Sequence, residues 1–235
     1  MKKLLCTAVV LFGLGFSLNA QNAQSDFAKG EEFFMQNKPK EAMPYLENSV
    51  AADSANLKAF LYLGIVYQQL DMTDEAIAVY RKVLPRGGDE TARIAYNLGN
   101  AYYSKGNAVF ADQFYTQAIE ADPAYAPAYL NRGNTRIKSE SRREAVSDYE
   151  TFLTLEPRSP KRPDIERLIA FIREEFAAEE RRRIMEEEAA RAAAERRQQL
   201  LDELTASLQA ASAETQGLSA GSEGVEGYEG EFELE

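Results

Sequence analysis

The side chains that could do chemistry in this 235-residue chain are mostly carboxylates, phenols and amides. Asp and Glu number 38 against 27 Lys and Arg, for a formal net charge of −11, with 12 Tyr, no His and one Cys, Cys6. Without His, and with no Cys beyond position 6, no Ser-His or Cys-His nucleophile pair can form, nor any sulfur or imidazole metal site. The glycines are not grouped as a phosphate loop: they recur at regular spacing, or fall in turns, in the N-terminal apolar run and in the last twenty residues. Acid–base chemistry by Asp, Glu or Lys stays available, but carboxylates on solvated helices need no catalytic role. The chain is therefore expected not to be an enzyme, with no catalytic, cofactor or metal-binding residue. Its acidic balance argues against a nucleic-acid partner, and the Arg181-Arg182-Arg183 run reads as a solvated helix face. What such side chains can still do is bind.

The ends are specialised. Lys2 and Lys3 precede a 15-residue apolar run, Leu4 to Leu18, and then Asn19-Ala20-Gln21. This is the pattern of a secretory signal peptide over residues 1–20, cut after Ala20. The run is short against the roughly 20 residues of a membrane span, although retention as an anchor stays open. Export implies a periplasmic or secreted location with no stable membrane span after cleavage. From Glu214 to Glu235 there are seven Glu and no basic residue, a composition that cannot bury enough surface to fold alone.

Between these ends lies a repeat. Gly30, Gly64, Gly99 and Gly133 are spaced by 34, 35 and 34 residues, and Ala42, Ala76, Ala111 and Ala145 follow each by twelve. Four windows align: 23–56, 57–90, 92–125 and 126–159, with Thr91 as the one inserted residue. Glycine stands at position 8 and alanine at position 20; position 24 holds Leu46, Tyr80, Tyr115 and Tyr149, and position 11 holds Phe33, Tyr67, Tyr102 and Arg136. In the second window Phe60, Leu63, Gly64 and Tyr67 share one helical face, as do Ala76, Val79, Tyr80 and Val83 on a second helix. Small residues at positions 8 and 20 let two antiparallel helices approach closely. Thr73 and Asn107 are expected as N-caps, and Ser141 with Glu144 as a capping box. Pro39 and Pro127 suit first helical turns, Pro123 and Pro157 helix ends, and Pro44 implies a kink or a late start.

These positions resemble the tetratricopeptide repeat (TPR) family, most clearly at Ala95-Tyr96-Asn97-Leu98-Gly99-Asn100-Ala101-Tyr102-Tyr103. The resemblance implies an all-α fold, an α-solenoid of four helical hairpins that binds a protein or peptide in its concave groove. It implies groove positions at Lys58, Leu61, Tyr62, Ile65, Gln68 and Gln69 in the second window. In the third they are Arg93, Tyr96, Asn97, Asn100, Tyr103 and Ser104; in the fourth, Leu130, Asn131, Asn134, Ile137 and Lys138. Chaperone-binding members clamp a terminal carboxylate with Lys and Asn at set positions. Here those places hold Phe27, Glu31, Tyr62, Arg93 and Asn97 in one register, and Leu61, Ile65, Asn97, Pro127 and Asn131 in the next. A chaperone C-terminus is not the expected ligand. Arg132 and Arg136 depart from the family pattern, as do Asp26, Lys29 and Val83.

Past the repeats, Ile165, Leu168, Ile169, Ile172 and Phe176 form the stripe of a capping helix at 163–177. A long charged helix follows at 178–212, rich in Ala, Glu, Arg and Gln, with Glu179–Arg183 and Glu187–Arg191 at a favourable spacing. Leu201, Leu204 and Leu208 make a seam of barely two heptads, less than the three or four of a convincing coiled coil. An acidic tail, 213–235, is expected to be disordered. Three functions stay open: an envelope adaptor or scaffold, a protein self-assembling through its C-terminal helix, and an accessory subunit of an envelope enzyme. Neither partner identity nor oligomeric state is legible.

Overall fold

The computed structural model describes the backbone of residues 22–220 and side chains as far as residue 213. Residues 1–21, where a signal peptide is expected, and residues 221–235 of the expected acidic tail lie outside the described residues. Nine helices occur among the described residues: α1 (22–35), α2 (Pro39–Ala52), α3 (Leu57–Gln69), α4 (Thr73–Val83), α5 (Thr91–Ser104), α6 (Ala108–Ala121), α7 (Ala126–Lys138), α8 (Arg142–Leu155) and α9 (Arg162–Ala220). The chain divides into a unit ending at Ile172 and one beginning at Arg173.

In the first unit each window becomes an antiparallel hairpin. The position-24 side chain lies against the position-8 glycine so closely that a Cβ has no room. A Cβ on Gly64 would sit 2.3 Å from Tyr80 Cε1, on Gly99 2.7 Å from Tyr115 Cδ1, on Gly133 2.9 Å from Tyr149 Cε1, and on Gly30 2.8 Å from Leu46 Cδ2. Ala42, Ala76, Ala111 and Ala145 are fully buried. The glycines are thus the floor on which the largest core rings rest.

The turns inside the hairpins repeat as closely. Asn37, Asp71, Gly106 and Glu140 all have left-handed backbone, with φ from 54 to 75°. The next residue in each case donates its N–H to the position-11 carbonyl: Lys38 to Phe33, Met72 to Tyr67, Asn107 to Tyr102 and Ser141 to Arg136, at 2.8–2.9 Å. This is the Schellman closure of a helix C-terminus. Asn107 then caps α6 by accepting from the Phe110 N–H. Two expected caps are corrected. Met72, not Thr73, is the N-cap residue of α4, and Ser141 caps α8 with no side-chain hydrogen bond, so the Glu144 box is not made. The Schellman turn already delivers the chain into the second helix at those sites. Pro44 lies inside α2, which starts at Pro39 and not late. Thr91 is absorbed as an extra first residue of α5, its hydroxyl donating to the Gly88 carbonyl at 2.8 Å.

Hairpins stack so that α3 touches α5 and α5 touches α7, while α4 and α6 each pack on the first helix of the next hairpin. First helices close together and second helices apart make the first-helix side the inner, concave one. At the end of this unit Ile165, Ile169 and Ile172 are buried. Arg162 fastens the start of α9 by donating from Nε to the Pro157 carbonyl at 2.9 Å and from Nη2 to the Leu153 carbonyl at 2.6 Å.

In the second unit α9 continues to Ala220, eight residues beyond the expected helix end at Ser212. Leu200, Leu201, Leu204 and Leu208 are all more than half exposed. Arg183 pairs with Glu180 and Glu187 rather than Glu179, and Arg181 with Glu174.

Candidate interaction groove

The inner face is set by what the hairpin tyrosines do with their hydroxyls. Tyr115 donates to Asn100 Oδ1 and Tyr149 to Asn134 Oδ1, both at 2.9 Å. The second hairpin has Ile65 at that place, so Tyr80 donates instead to Gln68 Oε1, 3.2 Å away and one helical turn on. Each ring packs on glycine and each hydroxyl orients an amide on the inner face. Burial pushes the Tyr149 hydroxyl up to about 12 and those of Tyr80 and Tyr115 higher still. They stay protonated donors throughout the neutral range.

Asn131 bridges two hairpins, its Nδ2 donating to Asn100 Oδ1 at 2.8 Å and to Tyr96 Oη at 3.1 Å. Tyr96 meets Tyr125 edge-on with ring centroids 5.3 Å apart. The Lys138 ammonium sits 4.1 Å from the Tyr103 ring centroid, a cation–π contact. Asn100, Tyr103, Ser104, Tyr115, Asn131 and Asn134 together line a recess of about 260 Å³.

The expected groove residues divide. Those on α5 and α7 (Arg93, Tyr96, Asn97, Asn100, Tyr103, Leu130, Asn131, Asn134 and Ile137) are all at least partly accessible. Tyr96, however, is half-buried against Tyr115 and Tyr125, so it supports the hairpin as well as facing the groove. On α3 the expectation needs correcting. Leu61 is 1 % exposed and belongs to the core; Tyr62 is 6 % exposed, stacked on Phe34 at 4.4 Å and near Phe27 at 6.1 Å. Aromatic side chains of α1 cover this wall, which the positional pattern of one repeat could not show. Lys58 is exposed but pairs with Glu31 at 2.7 Å, and that hydrogen bond raises its pKa above the ordinary lysine value. Ile65 is half-buried, with the Tyr80–Gln68 bond beside it. Arg93 pairs with Glu90, and Asn97 Nδ2 donates back to the Arg93 carbonyl. The accessible polar groove is therefore concentrated on α5 and α7.

The departures Arg132 and Arg136 explain themselves as one ionic cluster. Asp148, 2 % exposed, accepts from Arg132 Nη2 at 2.6 Å and Arg136 Nη1 at 2.9 Å; Arg136 Nε also reaches Asp112 at 2.8 Å and Arg132 Nη1 reaches Thr116 Oγ1 at 2.9 Å. The cluster ties the third hairpin to the fourth. A signal for it was present: positions 7, 11 and 23 hold Leu63, Tyr67 and Val79 in the second window but Arg132, Arg136 and Asp148 in the fourth. Among the described residues no cluster of acidic, His or Cys side chains is arranged to hold a metal, and no helix is long and apolar enough to cross a membrane.

Fold and groove define a helical-hairpin repeat protein of the protein-interaction class. Residues 56–124 match the tetratricopeptide repeat family, and the helical hairpins on either side repeat the same pattern. Among solved structures it is similar to MamA (21 % identity, TM-score 0.58, 66 % of this chain and 82 % of that one). It is also similar to YrrB, described as a TPR protein with an unusual peptide-binding site (18 % identity, TM-score 0.53, 72 % and 87 %). At these identities the likeness concerns fold alone. Curated relatives include the probable UDP-N-acetylglucosamine–peptide N-acetylglucosaminyltransferase SPINDLY of Hordeum vulgare, 28 % identical over 134 residues (54 % of this chain, 14 % of that one). Another is protein O-mannosyl-transferase TMTC3 of Mus musculus, 27 % identical over 160 residues (62 % and 17 %). The chain spans less than a fifth of the length of these curated relatives.

Proposed function

We propose that this protein is a non-catalytic adaptor of the bacterial cell envelope, holding an extended segment of a partner protein along α5 and α7. The observation that carries this is the recess of Asn100, Tyr103, Asn131 and Asn134, with amide and phenol groups on an accessible inner face. Such groups satisfy the backbone of an extended peptide while rings supply apolar area. The envelope setting is supported by the charged, apolar and small-residue pattern of residues 1–20. The test is affinity capture from an envelope extract with the mature chain, its Tyr103→Ala/Lys138→Ala variant and a convex-side Gln113→Ala control. The partner should be lost with the groove variant only; equal capture by all three rejects the groove.

A second reading, self-association through the second unit, is favoured by the exposure of Leu200, Leu201, Leu204 and Leu208. Sedimentation of the mature chain with and without residues 178–235 separates the two, because only self-association predicts a concentration-dependent mass that the truncation abolishes.

A further inference from the structure

The groove has a chemical polarity that follows from which end of each amide is already used. Asn100 Oδ1 accepts from the Tyr115 hydroxyl and from Asn131, and Asn134 Oδ1 accepts from the Tyr149 hydroxyl. Each of these two amides therefore turns its oxygen into the hairpin and leaves its Nδ2 as the group to offer. No described residue accepts a hydrogen bond from Nδ2 of Asn100 or Asn134. Asn131 is committed the other way: its Nδ2 is spent on Asn100 and Tyr96, leaving an acceptor oxygen. The tyrosine hydroxyls hold this arrangement in place because burial keeps them protonated.

Charge points the same way. Lys58 and Arg93 are paired with Glu31 and Glu90. Among the described residues no carboxylate pairs with Lys138, and its ammonium rests on the Tyr103 ring that walls the recess. None of the six lining residues is acidic. A recess with two unspent amide donors and an adjacent unpaired ammonium is complementary to an anion.

We propose that this recess takes an acidic side chain, Asp or Glu, lying within the partner segment. Its carboxylate accepts from Nδ2 of Asn100 and of Asn134 and faces Lys138, while Asn131 Oδ1 accepts a backbone N–H of the same segment. This rests on the groove reading above and adds the chemistry of what is held. It is not a terminal-carboxylate clamp, since neither register of such a clamp holds its Lys and Asn set here and the Asn131 donor is already spent. Hydrogen bonds to an ionised acceptor are roughly twice as strong as neutral ones, so Glu should be preferred over Gln by about tenfold or more in Kd.

The isotope-labelled mature chain, titrated by NMR with N-acetyl-glutamate N-methylamide and its glutamine counterpart, tests this directly. The glutamate probe should shift the side-chain amides of Asn100 and Asn134 at concentrations where the glutamine probe does not. Asn134→Asp keeps an acceptor for Tyr149 but replaces the donor with a carboxylate. It should leave melting unchanged, lose the glutamate response, and gain one to N-acetyl-lysine N-methylamide. Lys138→Gln should weaken the glutamate response alone. A glutamate probe that moves neither amide, or that acts equally on wild type and both variants, overturns the acid site. An array of ten-residue peptides with Glu, Gln or Lys at the centre separates this failure from the broader one. Peptides released by Tyr103→Ala but showing no acid preference reject the acid site and keep the groove. Array peptides that bind without any release by Tyr103→Ala reject the groove itself.

Discussion

Substituting Gly64 by Ala sets two effects of opposite sign against each other. Intrinsic helix propensity favours Ala over Gly by about 0.8–1 kcal/mol, so in an open helix the change would stabilise. In α3 the new Cβ would lie 2.3 Å from Cε1 and Cζ of Tyr80, a ring that is fully buried. Carbon atoms in contact sit about 3.5–4.0 Å apart, so the ring or the whole of α4 must retreat by more than about 1 Å. Overpacking of this kind costs about 1–3 kcal/mol, and a displacement this large belongs at the upper end. The net expectation is about 2 kcal/mol of destabilisation, or about 4–8 °C in melting temperature for a domain of this size. Gly133→Ala meets Tyr149 only at 2.9 Å and should cost distinctly less. Urea titrations followed by circular dichroism, run with Tyr80→Leu and the double variant, give the coupling. The double variant should be more stable than the sum of the singles by about 1 kcal/mol or more. A Gly64→Ala protein that is more stable than wild type would show that propensity wins and that the glycines are not required by packing.

Removing one partner from the buried cluster with Asp148→Ala should cost about 3 kcal/mol, because Arg132 loses its carboxylate partner and Arg136 keeps only Asp112. Unfolding midpoints check this, and a loss under about 1 kcal/mol would show the cluster to be solvent-screened. Glu140 has φ 61°, a conformation that costs an L-residue about 1–2 kcal/mol. Glu140→Gly should therefore stabilise by about 0.5–1 kcal/mol after the flexibility of glycine is counted; no gain in melting temperature would count against it. The folded-state pKa of Tyr149 is raised to about 12 from about 10 in the unfolded chain. Its contribution is thus fully present below pH 10 and lost as the pH climbs through 12. Alkaline titration should show tyrosinate absorbance from the buried rings rising together with loss of helix. Ionisation of those rings in a still-folded protein would contradict the burial.

The repeat register was legible because short distances enforce it: a position-8 glycine under a position-24 ring tolerates nothing larger, so residue type alone marks the place. The amides at Asn100 and Asn134 were legible as groove residues, but not their polarity, since the hydroxyl that fixes each oxygen arrives from the second helix of the hairpin fifteen residues later. Tyr62 was misplaced because its exposure depends on how α1 packs, with Phe27 and Phe34 laid against it, and Leu61 because it joins the buried core. Arg132 and Arg136 stood out as charged residues at apolar positions. Their partner Asp148 lies 16 and 12 residues away on α8, and only the three substitutions taken together within one repeat reveal the exchange.

The central claim is that the inner face of α5 and α7 holds the partner. Site-specific photo-crosslinking tests it most directly: a benzophenone side chain is placed at Tyr103 in the groove, or at Gln113 on exposed α6, in the full-length protein within intact cells. A discrete adduct from position 103, competed by excess unlabelled mature protein and absent from position 113, is the expected result. An adduct from position 113 with none from 103 would contradict the account.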